Sequence, residues 1–381
     1  MNRTKSTQSV LHDASPRNAR ATLLILTCLF TVVAGFFAGG RTSPKVDATM
    51  GISLAGPEFG TKRAEFSNGN PGKPDVDYTY NSPQTVSYFA EQGITLFRLP
   101  VRWERLQPQL GGELNPQEVQ RVRTFLGWVR SQRGRIILDL HNYGRYRLAM
   151  TSGGIVESII DQRIAGKVLV SRRDFADLWR RIAVEFQQDP AIYAYGLMNE
   201  PHNMGASDWP AISQAAVDAI RATGDESLLL VAGGSWSSAE RWESVNGPAP
   251  WIRDPVQQIA YEAHCYFDHD ASGSYQMTFD AELAKDPALH ERGRRRVAPF
   301  INWCARNHVP GVIGEFAVPR DARWQAVLAP FLADLRVAKI DAVWWAAGDW
   351  WGDYPMSLQP TADYRISASQ LSWILDPQLR D

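Results

Sequence analysis

A (β/α)8 TIM barrel is the fold class this sequence predicts, and two observations predict it. Eight strand-like apolar runs alternate with helix-like runs between residues 51 and 349. No Gly-rich phosphate loop follows the first strand, which argues against the rival architecture, a doubly wound sheet. The composition is compatible: at 44% apolar and 21% charged, the chain can bury a sizeable core and is not globally disordered.

In chain order the expected strands are GISLAG (51–56), TLFRLPV (95–101), RIILDLH (135–141), IYAYGLMNE (192–200), SLLLVAGGS (227–235), QIAYEAHCYF (258–267), VPGVIGEF (309–316) and DAVWWAAGD (341–349). Helices are expected between them. Val119, Val122, Phe125, Leu126 and Val129 set a 3.6-residue rhythm over 116–133, and Phe175, Leu178, Trp179, Ile182 and Phe186 repeat it over 173–187. Residues 209–222 and 324–339 are similar. GGELN at 111–115 reads as a turn before a helix. No repeat of 20–50 residues is present, and one catalytic domain, 49–381, accounts for the alternation.

The N-terminus lies outside that domain. Residues 1–20 are basic, and 21–40 (ATLLILTCLFTVVAGFFAGG) form an uncharged apolar run of about the length a bilayer span requires. Residues 41–48 form a short polar linker. The preceding Arg17 and Arg20 keep the start cytoplasmic and send the bulk out. The run is long for a signal core, so an uncleaved membrane anchor is expected. A cleaved signal peptide is the rival, with small-residue sites at 38–40 and 46–48. The expected location is the periplasmic face of the inner membrane if anchored, otherwise the periplasm or the medium.

A formal net charge of −1 gives no electrostatic case for nucleic acid. The 14 Trp make ring stacking on a ligand an option beside ordinary core packing. Cys265 and Cys304, outside the apolar run, are expected to be buried thiols, although export would permit a bridge.

Position carries the functional signal. In such a barrel the site lies at the C-terminal ends of the strands. Those ends carry Arg98, His141, Asn199 with Glu200, Trp236, His264 with Tyr266, Glu315 and Trp345. Two acids, two His, an Arg and an Asn at one end suit cleavage of a glycosidic bond, which needs one protonated carboxyl and one carboxylate. Glu200 and Glu315 supply the pair. Pro201 stops the strand just after Glu200, at the lip of an apolar run with no cation in its own segment, and burial there favours the protonated acid. Glu315 is expected within reach of Arg98, which would keep it ionised.

The stretches NEPHN (199–203), FRLPVRW (97–103), LDLHNYGRY (138–146), EAHCYFDHDASG (262–273) and VIGEF (312–316) together resemble glycoside hydrolase family 5, the cellulase family A. NEPH, DLHNY and H-x-Y-x-D-x-D-x-SG are most similar to its endo-β-1,4-glucanase branch. The resemblance implies a retaining, endo-acting hydrolase of a β-linked polysaccharide or oligosaccharide, with Glu200 as acid/base and Glu315 as nucleophile. It implies that Arg98 and Tyr266 hold the nucleophile and that Asn199 binds the sugar 2-hydroxyl. His141 and His264 would position the sugar and support the acid/base, Trp345 would floor the subsite under attack, and Trp236 would line the aglycone side. It implies no metal and no cofactor. A carboxyl separation of about 5 Å is expected, the retaining value.

Other residues read as structural. His202, His269, Arg63 and the 292–296 Arg cluster are expected at the solvated surface, and Trp103, Trp128, Trp179 and Trp303 in the core. Trp344 should point outward from its strand, and Trp350 and Trp351 are open between sugar platform and loop packing. Long loops at 150–174 and 348–360 leave the polymer open among glucan, mannan, xyloglucan and a bacterial exopolysaccharide. A non-catalytic glycan-binding protein is a further alternative, which loss of one carboxylate would mark.

Overall fold

The computed structural model describes residues 48–375. The segments expected at 1–20 and 21–40, and all but the last residue of the linker, lie outside them. Among the described residues no helix is long and apolar enough to cross a membrane.

Eight parallel strands close into a barrel. They are β1 (Met50–Leu54), β2 (Leu96–Val101), β3 (Arg135–Leu140) and β4 (Ile192–Gly196). The second half is β5 (Leu228–Ala232), β6 (Ile259–His264), β7 (Gly311–Phe316) and β8 (Asp341–Ala347). Each pairs with its sequence neighbours, and β1 pairs with β8 to close the ring. All eight expected strands are present, most of them shorter at the C-terminal end. The doubly wound alternative is excluded by closure.

At least one helix follows each strand, the principal ones beginning with α1 (Pro83–Glu91), α2 (Pro116–Ser131), α3 (Arg172–Phe186) and α4 (Trp209–Arg221). Then come α5 (Trp242–Asn246), α6 (Arg292–Asn307), α7 (Gln325–Val337) and α8 (Ser369–Leu375). Their starts are encoded locally. Asn115 caps α2 by accepting from the Gln117 amide with Pro116 behind it, so the GGELN turn leads into a helix N-terminus as expected. Ser171 and Asp174 form a reciprocal capping box on α3.

Strand alternation divides the side chains into two layers. Leu96, Ile137, Leu230, Val312 and Val343 belong to the barrel interior, below the polar rim. The opposite face packs on the helices, where Trp103, Trp179, Trp242, Trp303 and Trp344 are fully buried. Each such ring contributes at most about 4–6 kcal/mol of transfer free energy. Trp344 thus points outward as its alternation with Trp345 requires, and its indole N–H reaches the Met356 carbonyl at 2.8 Å.

Register breaks at one place that matters. Ala263 on β6 faces Ile313 on β7, but His264 faces Glu315, so β7 carries one extra residue, Gly314. Without that bulge strict alternation from Val312 would put Glu315 outside the barrel; with it Glu315 turns in. Gly314 also makes room, since a Cβ there would lie 1.9 Å from Glu262 Oε1. Gly314→Ala is therefore expected to destabilise the fold by about 1–3 kcal/mol, measured as a drop in melting temperature. An unchanged melting temperature would show that β6 and β7 do not pack in this way.

Candidate active site

Arg98, the fourth-from-last residue of β2, is wholly buried at the barrel's centre. Its Nη1 donates to Glu315 Oε1 at 2.9 Å and its Nη2 to Asn199 Oδ1 at 2.7 Å. Asp139 Oδ1 lies 3.1 Å from Nη2, and Glu262 Oε1 lies 3.4 Å from Nε. Burial opposes the charge on Arg98, but Asp139, Glu262 and Glu315 outweigh it and hold the guanidinium firmly protonated.

Glu315 takes a second donor from the Tyr266 hydroxyl, 2.8 Å from Oε2. Burial, with Glu315 adding to it, pushes the Tyr266 phenol well above its ordinary range, so it remains a donor. The Arg98 contact expected for Glu315 is present, yet its net effect differs from the expectation. Burial raises the Glu315 pKa above the ordinary carboxylate value, Glu200 adds to the rise, and His264 and Arg98 only partly offset it. The cost of taking the carboxylate out of water is the larger influence.

Glu200 is reached differently. β4 ends at Gly196, and Glu200 sits beyond it with φ at 46°, a left-handed backbone that costs a non-glycine residue about 1–2 kcal/mol. The group that meets it comes from β6 and not from its own segment. His264 Nδ1 lies 2.7 Å from Glu200 Oε1 and 3.6 Å from Glu315 Oε2. One donor atom from each of Glu200, His264 and Glu315 lies within 4.8 Å of the others, so the two carboxyl groups face each other across the imidazole. The three are close enough to reach one ion, but the 2.7 Å contact between His264 Nδ1 and Glu200 Oε1 is a hydrogen bond within the cluster itself. Burial opposes the charge on His264, but Glu315, Glu200 and Glu262 outweigh burial and raise its pKa to about 10.

His141 has the opposite character. Burial lowers its pKa to about 3, with Arg98 and Arg102 in the same sense, so the ring is neutral. Its Nδ1 lies 2.9 Å from Asp139 Oδ2 and donates there, leaving Nε2 as an acceptor facing the Tyr143 hydroxyl at 3.1 Å and Asn199 Nδ2 at 3.3 Å. The Asn199 amide is oriented at both ends by this arrangement. Trp345 stacks on His141 with centroids 5.2 Å apart and planes 12° apart. Trp351 meets Trp345 edge-on and is itself backed by Tyr354 and Phe59, so it buttresses the platform, while Trp350 is exposed.

On the Glu200 side a cleft of about 420 Å³ is lined by Trp236, Ser238, Arg241, His264, Tyr266 and Asp270, among others. Trp236 is not at a strand end. It lies in a turn after β5, in left-handed conformation with both neighbours, and is 40% exposed to the cleft.

The rim thus brings together all nine residues that the sequence singled out, and several that it did not. His202, expected at the surface, stacks on Trp236 at 4.5 Å and 10°, and its Nδ1 contacts the Glu200 carbonyl at 3.0 Å. Arg292 and Arg296, expected in solvent, are buried. Arg292 donates to the Phe267 carbonyl and to Glu282, and Arg296 donates to the carbonyls of Tyr266, Asp268 and His269. They clamp the loop that carries Tyr266. Asp139 and Glu262 were missed although each stands two residues before a singled-out His, a spacing that puts both on one face of a strand. Cys265 and Cys304 are buried thiols, as expected.

The cluster makes stability depend on pH. Burial raises Asp139 to about 7, and His264 stands at about 10. Both bind protons more tightly folded than unfolded, so their contribution is present at low pH and is lost as pH rises through about 7 and then about 10. The melting temperature is expected to fall from about pH 4 to 7 as the Asp139 contribution is lost and on to about 10 as that of His264 is lost, and Asp139→Asn to remove the fall below about 7. A melting temperature constant across that window would contradict the protonation described.

Comparison with known proteins agrees with this geometry. The family model for cellulase (glycosyl hydrolase family 5) matches residues 56–350. Endo-β-1,4-glucanase A of Emericella nidulans is 32% identical over 335 residues, covering 86% of this chain and 91% of that one. The structure of endoglucanase Cel5A from Pseudomonas stutzeri in complex with cellobiose is similar at a TM-score of 0.74 and 32% identity, over 87% of this chain and 93% of that one. An endo-β-1,4-glucanase of Xanthomonas axonopodis pv. citri gives 0.74 and 33%, over 88% of this chain and 100% of that one. With the family matched across most of its barrel, the chain belongs to the cellulase family, glycosyl hydrolase family 5, and is a glycosyl hydrolase.

Proposed function

We propose that the enzyme is a retaining endo-β-1,4-glucanase working by double displacement, with Glu315 as nucleophile and Glu200 as acid/base. The observation that carries this is the carboxyl pair, whose nearest oxygens lie within 4.8 Å. That spacing leaves no room for the interposed water of an inverting enzyme and suits direct attack on the anomeric carbon. The names of the relatives support the polymer: the Emericella and Xanthomonas proteins are endo-β-1,4-glucanases, and the Pseudomonas structure holds cellobiose.

In the first step Glu315 attacks the anomeric carbon while Glu200 protonates the departing oxygen; in the second water attacks that carbon as Glu200 takes its proton, and the ester bond to Glu315 breaks, returning the carboxylate and releasing the sugar. Arg98 and Tyr266 fix the two Glu315 oxygens, so one lone pair is aimed and little reorganisation is needed. Asn199, held by Arg98, presents its amide nitrogen to the 2-hydroxyl. Trp345 floors the attacked sugar and Trp236 the aglycone side. Both carboxylates are present and partnered, which disfavours a binding-only protein.

Glu315→Gln is expected to reduce reducing-end release from carboxymethyl cellulose and mixed-linkage glucan by roughly 10³-fold or more in a protein that still folds, at a melting temperature lowered by the loss of a charged partner of Arg98. The first product seen by proton NMR should be the β-anomer. Full activity in the mutant would remove the nucleophile assignment, and an α-anomer would remove retention. Wild-type release from mannan or xyloglucan in place of the glucans would reassign the polymer within the family.

The reading includes export, on the strength of the apolar run 21–40. Cell fractionation should find the enzyme in membranes and released by detergent, if the run anchors it. A soluble exported form that begins after residue 40 or 48 would show cleavage instead. Retention in the cytosol would overturn export.

A further inference from the structure

Both nitrogens of the His264 ring face carboxylates. On the Nδ1 side are Glu200 at 2.7 Å and Glu315 at 3.6 Å; on the Nε2 side is Glu262 at 3.6 Å. A neutral imidazole has one donor and one acceptor nitrogen: the Nδ1–H tautomer would aim a lone pair at Glu262, and the Nε2–H tautomer would aim one at Glu315 and, whenever it is ionised, at Glu200. The imidazolium donates on both sides and fits.

The third carboxylate is not part of the reacting pair. Glu262 is 1% exposed and lies below the rim, on the same face of β6 as His264. Neither of its oxygens has a well-directed hydrogen bond, and His264 Nε2 and Arg98 Nε lack one as well. What surrounds Glu262 is charge at short range: Arg98 Nε at 3.4 Å and His264 Nε2 at 3.6 Å. A buried carboxylate without directed bonds is costly, and here β7 gives up a side chain at Gly314 to admit it. Packing alone would fill that volume with an apolar residue at lower cost.

We propose that Glu262 is a positioning residue that keeps His264 as an imidazolium between the two carboxyl groups, a role that rests on the reading of Glu200 and Glu315 given above. Its charge acts on the ring nitrogen that the reacting pair does not touch. With Nδ1–H given to Glu200 Oε1, that oxygen is occupied, and the acid proton of Glu200 is confined to Oε2. The groups that bear on His264 are Glu262 on its own strand, Glu315 on β7, Glu200 beyond β4 and, further round, Asp139 on β3, while Arg98 on β2 and His141 just past β3 act on Glu262. Arg98 is shared by Glu262, Glu315 and Asp139, so it weakens their hold on the ring without cancelling it. Burial pushes the Glu262 carboxyl up, yet Arg98 and His264 outweigh it and leave it lowered, so the anion is in place.

The test begins with the unmodified enzyme. Nitrogen-15 NMR of the histidine rings at pH 7.5 should show His264 protonated on both nitrogens, assigned by loss of its signals in His264→Asn. A neutral ring would overturn the proposal whatever any variant does. Glu262→Gln keeps the shape and removes the charge; its His264 titration should fall by roughly 1–3 pH units, and the alkaline limb of kcat should move down with it while KM changes little. Glu262→Asp should restore part of both shifts. An unchanged titration and alkaline limb in a folded Glu262→Gln would also overturn the proposal, as would a lower melting temperature with no shift in either. If Glu262→Gln fails to fold, Glu262→Asp and the unmodified ring decide. The ring titration needs no substrate, so inactivity on glucans would count against the proposed function and leave this inference standing.

Discussion

Four segments of the barrel converge on one guanidinium. Arg98 is bonded to Glu315 of β7 and to Asn199 beyond β4, and lies in ion-pair range of Asp139 on β3 and Glu262 on β6. A planar fork of five donors can serve several acceptors at fixed angles, which a lysine ammonium cannot do. Removing one partner of such a buried arrangement costs about 3–5 kcal/mol, because the remaining charges are left without compensation. The geometry of the site therefore depends on a residue that touches neither the leaving oxygen nor the proton it receives. Orientation passes outward from it: Arg98 sets the Asn199 amide, whose nitrogen meets His141, whose ring carries Trp345.

Around this centre the fold uses backbone irregularity to aim side chains that regular strands would misplace. The extra residue on β7 turns Glu315 inward. A left-handed residue before Pro201 lifts Glu200 off β4 and sets it against His264. Beyond β6, Arg296 holds the chain by three carbonyls so that Tyr266 keeps its line to Glu315. Each device is a local cost accepted by a barrel whose outer layer of buried Trp and aliphatic side chains supplies ample apolar burial.

The strands, four of the outer helices and the identity of the rim residues were legible in the sequence because each depends on a short-range pattern. Alternation and apolar runs mark strands; a 3.6-residue rhythm with Asn or Ser caps marks α2 and α3. What could not be read depends on partners distant in sequence. Arg292 and Arg296 look like solvated charge until the chain folds their carbonyl and carboxylate partners onto them. His202 looks like a loop residue until the turn after β5 brings Trp236 against its ring. The direction of the Glu315 shift required knowing how deeply that carboxyl is buried, which the nearby Arg98 does not disclose. Asp139 and Glu262 are the instructive case. The Asp-x-His and Glu-x-His spacings were visible, and period two places all four residues inside, but nothing local said that Gly314 had vacated the space the second acid needs.

A fixed imidazolium also explains why two acids so close together need not hinder one another. In the proposed reaction the pair holds one negative charge before bond breaking, on Glu315, and one after it, on Glu200. In water that transfer would require solvent dipoles to turn. Here the compensating cation already stands between the two sites, 2.7 Å from one carboxylate and 3.6 Å from the other, and need not move. Such preorganisation counts for more in a buried site, where the effective dielectric is low, than at a surface. It demands that the cation keep its proton throughout, and a histidine facing only the reacting pair would depend on a single anion that moves from Glu315 to Glu200 as the ester forms. A third carboxylate, placed where it takes no part in the reaction, removes that dependence.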